Sequence, residues 1–172
     1  MERKTTQLIA LLLIAIMPAI SQPTNRKAAK EEKRIGKEKG IATLIDLKKF
    51  EFEAQRAIPT GFSPVDLTTN PNFVRFSPEL IVSEMPFFGR AYSVQYGGEG
   101  GLKFVGEPEV FTIEKGKKYY AVEVKVKSKS DYFTINLSIS FGGSATMVIS
   151  SNNRSPISYY GQISEIALPE VK

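Results

Sequence analysis

From Tyr120 onward, apolar and polar residues alternate with a period of two. Tyr120, Val122, Val124 and Val126 share one face, and Ala121, Glu123, Lys125 and Lys127 the other. Phe133, Ile135, Leu137, Ile139 and Phe141 repeat the pattern, with Thr134, Asn136, Ser138 and Ser140 between them. Successive side chains of a strand point to opposite faces, so each run predicts a strand with one buried side. Ser128 to Asp131 turns the chain between them. Gly142-Gly143 predicts a two-residue hairpin turn, returning through Ala145 to Ile149. Two short final strands are expected over Ile157–Tyr159 and Ile163–Ile166. Upstream, Phe111 and Ile113 enter the same pattern through the turn Glu114-Lys115-Gly116-Lys117-Lys118.

The first half is more broken but of the same kind. Phe50, Phe52 and Ala54 alternate with Glu51, Glu53 and Gln55, until Pro59-Thr60-Gly61 and Ser63-Pro64 end the strand. A loop through Asn70-Pro71 leads to Val74 and Phe76. Ser77-Pro78 then turns the chain into Leu80-Ile81-Val82. Tyr92, Val94 and Tyr96 share one face of a fourth strand. Gly97-Gly98-Glu99-Gly100-Gly101 connects it flexibly to Leu102-Lys103-Phe104. Only the N-terminal segment departs from this period. Lys27 with Glu31, and Arg34 with Glu38, are four apart, as on a solvated helix, which Gly36 and Gly40 weaken. Ile41, Leu44 and Ile45 form an apolar stripe at helical spacing, so the last turns should dock. The expected fold is mostly β: a single antiparallel β-barrel or β-sandwich with a short N-terminal helix. Long strands with one wet face argue against a parallel α/β sheet.

Ahead of that helix, Glu2-Arg3-Lys4 precedes an apolar run from Leu8 to Met17, Pro18 breaks it, and Ala19-Ile20-Ser21 follows. This order is that of a cleavable signal peptide. A bilayer-spanning helix needs about 20 apolar residues, and the run is roughly half that. The expected organisation is a signal peptide over 1–21, a charged helix over 22–47 and an antiparallel β-domain over 48–172. The mature chain would begin at Gln22, periplasmic or secreted, with no stable membrane anchor after cleavage.

Composition removes whole classes of chemistry. The chain contains no cysteine and no histidine. There is accordingly no disulfide framework, thiol nucleophile, imidazole-based triad or usual zinc site. No metal or other cofactor is expected. About 150 residues suffice to fold one domain without such staples. The formal charge is +5, and loss of Glu2, Arg3 and Lys4 with the leader lowers it by one. An exported basic domain meets anionic envelope polymers rather than nucleic acid, so the expected partner is an envelope ligand or protein.

Three ordered stretches carry a resemblance: Met85-Pro86-Phe87-Phe88-Gly89-Arg90-Ala91-Tyr92, the segment from Gly97 to Phe104, and Asn153-Arg154-Ser155-Pro156-Ile157-Ser158-Tyr159-Tyr160-Gly161. With Phe50-x-Phe52-x-Ala54, they make the chain resemble domain-of-unknown-function family 4251, small exported proteins found chiefly in Bacteroidetes. The resemblance spans almost the whole mature chain. It implies an exported β-rich envelope domain and no particular activity. Some members look like lipoproteins, but this chain lacks the cysteine that anchor requires.

Candidate ligand-binding residues follow from side-chain chemistry. Arg90 and Arg154 each carry a fork that can grip a carboxylate or phosphate. Tyr92, Tyr96, Tyr159 and Tyr160 offer apolar rings with a polar tip. Gathered at one rim, these six would form a cleft for an anionic, sugar-like or protein ligand. The structural reading leads at these positions: both arginines satisfy loop carbonyls and serve a ligand only secondarily, and the tyrosines are core or edge residues. The Gly97–Gly101 run lacks the Gly-Lys-Ser/Thr ending of a phosphate loop. A histidine-free hydrolase is the alternative function, with Glu99, Glu107, Glu109 and Asp131 as its carboxylates or Ser130 and Lys127 as a dyad. No catalytic residue is assigned, and a non-catalytic binding or assembly module is the leading expectation.

Overall fold

The computed structural model describes residues 24–69, 72–92, 100–129 and 131–167. The expected signal peptide lies outside these, as do Val94 and Tyr96 of the expected fourth strand. The chain divides into two compact units, Met1–Lys33 and Arg34–Lys172. The described part of the first unit is the start of helix α1 (Thr24–Asp46), where the side chains of residues 26–33 are all exposed.

In the second unit α1 leads, among the described residues, into ten strands: β1 (Phe50–Pro59), β2 (Val65–Asp66), β3 (Phe73–Phe76), β4 (Ile81–Met85), β5 (Leu102–Gly106), β6 (Pro108–Lys115), β7 (Tyr119–Lys127), β8 (Tyr132–Ser140), β9 (Ser144–Ser151) and β10 (Ile157–Ser164). They form one antiparallel sheet in the order β5-β4-β3-β1-β10-β9-β8-β7-β6, with β2 paired to β1. The sheet curls until its two edges approach and nearly closes as a barrel. The Phe104 ring on β5 stacks on Phe133 of β8 at 4.0 Å, and Gly106 packs against Val126 and Lys127 of β7. A barrel-like sheet, rather than a sandwich, is therefore the arrangement.

The period-two register survives intact where it was strongest. Ile135, Leu137 and Ile139 are buried, and Asn136 and Ser138 are exposed. Phe50 and Phe76 stack at 4.8 Å in the same core. Two expectations need correction. The β8–β9 turn has three residues, Phe141 to Gly143, closed by a bond from Gly143 N to Ser140 O (2.9 Å). Gly143 sits at φ +89°, a left-handed position that completes this longer turn at little cost. Nor is the last strand split. Ile157, Tyr159, Gly161 and Ile163 face the core in one continuous β10. β1 bulges between Ala54 and Arg56 and presses on Gly161, where a Cβ would stand 2.0 Å from Glu53 O. Only glycine fits there without moving the backbone.

The helix runs through Gly36 and Gly40 and docks by its last turns, burying Ile41 and Ile45. Ile41 Cδ1 rests on the β8–β9 turn, 2.8 Å from where a Cβ on Gly143 would be. Lys48 N bonds Ile45 O (3.0 Å) and Lys49 N bonds Leu44 O (3.1 Å), the pairing of a Schellman cap. Its left-handed position, usually glycine, is filled by Lys48 at φ 53°. The Lys48 ammonium reaches across to the Phe111 carbonyl of β6 (2.8 Å).

Candidate binding rim

At the end of β9 remote from that helix cap, the connection after β4 and the β9–β10 loop meet. Ala91 and Arg154 form an isolated antiparallel bridge. Tyr92 N donates to Asn153 O (2.8 Å), Ser155 N to Arg90 O (2.9 Å), and Arg90 N to Ser155 Oγ (3.0 Å). A Cβ on Gly89 would lie 2.6 Å from both the Phe87 ring and Ser155 Oγ, so those side chains would have to shift to admit one. Thr60 Oγ1 donates to Pro156 O (3.2 Å) and ties the β1–β2 turn to the same cluster.

Arg154 is the centre of this arrangement. Its half-buried guanidinium donates to the Gly101 carbonyl and lies 5.3 Å over the Phe87 ring. Tyr159, wholly buried below it, donates its hydroxyl to Pro86 O (2.6 Å). Burial pushes the Tyr159 phenol far above the ordinary tyrosine range, against a weaker opposing pull from the Arg154 charge. The three stretches singled out in the sequence thus converge on one hydrogen-bonded loop cluster.

The five described candidate residues do not line one cleft, because they divide by orientation. Arg154 and Tyr159 point into the structure and satisfy carbonyls. Tyr160 faces outward on β10, on the opposite side of the strand from Tyr159. Arg90 is tied through its backbone only. Its side chain is exposed and makes no hydrogen bond or ion pair among the described residues. Tyr92 is 70% exposed beside it. Tyr96 lies outside the described residues. Two exposed aromatics were missed, Phe88 next to Arg90 and Phe62 in the tethered β1–β2 turn. An aromatic set between Gly61 and Ser63 in a polar turn was the available signal for the second.

Two of the carboxylates considered for hydrolysis have other tasks. Asp131 Oδ1 accepts from Tyr132 N (2.8 Å) and Asn152 N (3.2 Å), and Glu109 accepts from the Tyr132 hydroxyl (3.1 Å). Glu99 and Ser130 lie outside the described residues. Among the described residues, no cluster of three or more acidic side chains is placed to hold a metal ion.

The family described as "Domain of unknown function (DUF4251)" matches the sequence over residues 32–163. Comparison with curated proteins finds no match. Among solved structures, the chain is similar to the crystal structure of a DUF4251 family protein from Bacteroides eggerthii. The two share 17% identity over 78% of this chain and 91% of that chain, with a TM-score of 0.61. At this identity the likeness bears on the fold.

Proposed function

The chain belongs to the DUF4251 family, and from that premise we propose that it is an exported, non-catalytic binding module of the cell envelope. Its ligand is an anionic, sugar-like molecule, met at the rim that Arg90 and Tyr92 present. The observation that carries this reading is the division of labour between the two arginines. Arg154 fixes the loop cluster, and Arg90 is exposed at its surface, its side chain making no hydrogen bond or ion pair among the described residues. A planar guanidinium grips a carboxylate bidentately, and aromatic faces such as Tyr92 and Phe88 suit a sugar ring beside it.

Titration calorimetry with oligogalacturonate, which combines sugar rings and carboxylates, tests the proposal. Wild-type protein should bind it saturably, and Arg90→Ala should bind about tenfold more weakly, the scale of a lost charge-assisted hydrogen bond. Export is tested separately by terminal sequencing of protein from the native envelope. The leader motif calls for a mature chain beginning at Gln22. A retained Met1 in a soluble cytoplasmic fraction would contradict it.

A further inference from the structure

We infer that the trough between α1 and the β6–β7 hairpin is a second binding site, for a single-chain amphipathic carboxylate of the fatty-acid kind. It stands apart from the Arg90 rim, at the other end of β9. Two cavities lie here, of about 290 and 230 Å³, and they share Ala42, Lys115 and Tyr120 in their walls. The helix lines them with Ile35, Glu38, Lys39, Ala42, Ile45 and Asp46. These positions fall on one stripe of α1. At 1.5 Å per residue it runs roughly 16 Å, so the trough is long and narrow and suits a chain rather than a ring.

Both cavities set two ammonium groups against one carboxylate: Lys39 and Lys115 with Glu38 in the smaller, beside Ile35 and Phe141, and Lys48 and Lys115 with the exposed Asp46 in the larger. Glu38, the acidic residue of the smaller cavity, is already paired with Arg34 at 2.6 Å. Lys115 makes no ion pair among the described residues. Its ammonium stands 5.9 Å from the Tyr120 ring centre and 6.0 Å from that of Phe141. Lys48 has one donor on a neutral carbonyl, so its charge is not neutralised and two N–H groups remain. The anionic head belongs at Lys115, whose ammonium is common to both cavities, with the tail laid along the helix stripe past Ala42.

The test is calorimetric titration of dodecanoate, below its micellar concentration, into protein expressed from the full-length sequence. Saturable binding is expected, with dodecanol at least about tenfold weaker because it lacks the charge that the lysines meet. Lys115→Met keeps an apolar stem over the two rings and should cost about tenfold in affinity. Ala42→Trp fills the stretch common to both cavities and should abolish binding, while Asn136→Ala, on the exposed face of β8, should leave it unchanged. Circular dichroism confirms that each variant is folded; Lys115 is exposed, so its replacement does not disturb the core. Absence of saturable dodecanoate binding overturns the proposal, as does wild-type affinity in Lys115→Met and Ala42→Trp. Equal affinity for dodecanol and dodecanoate overturns the assignment of an anion.

Discussion

The Arg154 guanidinium donates to the carbonyl oxygen of Gly101, 53 residues away in sequence, and so fixes the start of β5 to the β9–β10 loop. A half-buried acceptor that loses its donor costs about 1–3 kcal/mol. Arg154→Ala should therefore lower the melting temperature by several degrees. Arg154→Lys should recover part of that loss, since an ammonium can reach one carbonyl but cannot keep the planar contact with Phe87. Thermal melts of the two variants check this, and a wild-type melting temperature for Arg154→Ala would remove Arg154 from its structural role.

Tyr159 gives the loop cluster a pH signature. Its phenol holds its proton in the folded state to well above the ordinary value of 10.0. The unfolded chain releases that proton as the pH passes about 10, so above it the folded state binds more protons and stability falls with rising pH. Below about pH 10 both states are protonated and the contribution is flat. Tyr159→Phe should flatten the decline between about pH 10 and 11.5. It should also lose about 0.5–1.5 kcal/mol at neutral pH with the bond to Pro86. Denaturant melts at stepped alkaline pH supply both readings; an unchanged alkaline slope in Tyr159→Phe would assign the decline to other groups.

On β8, Leu137→Ala should cost roughly 2–5 kcal/mol, because it empties a buried position. Asn136→Ala, one residue away on the wet face, should cost under about 1 kcal/mol. Equal losses in urea melts would contradict the register.

Two glycine-to-alanine changes should act in opposite directions. Gly161→Ala forces a Cβ into the β1 backbone at Glu53 and Ala54, and should cost about 1–3 kcal/mol or more. Gly36→Ala meets nothing within 4 Å on an exposed helix and should add about 0.5–1 kcal/mol. Parallel thermal melts decide both signs.

The buried face of β8 was legible because the alternation of Phe133 to Phe141 has no second solution: a slip of one residue would turn every apolar side chain to water. The docking stripe Ile41, Leu44 and Ile45 was legible for the corresponding helical reason. The gap left between Tyr159 and Ile163 is bridged by Gly161, and the bulge on β1 that needs a glycine there is encoded by no local pattern. The arginines were alike in local composition, and both follow turns rich in glycine, asparagine or proline. What separates them is contact with Gly101 and Ser155 across long stretches of chain, and no local pattern encodes that. The same limit hid the helix–hairpin trough, whose two walls lie some seventy residues apart, between Ala42 and Ile113.

The central claim is that Arg90 is displayed for a ligand by a cluster it does not stabilise. Arg90→Ala separates the two roles when its melting temperature and its oligogalacturonate affinity are measured on one preparation. The account predicts a melting curve within about 0.5 kcal/mol of wild type, as for an exposed side chain without partners, together with an affinity about tenfold weaker. A lowered melting temperature with wild-type affinity would contradict it.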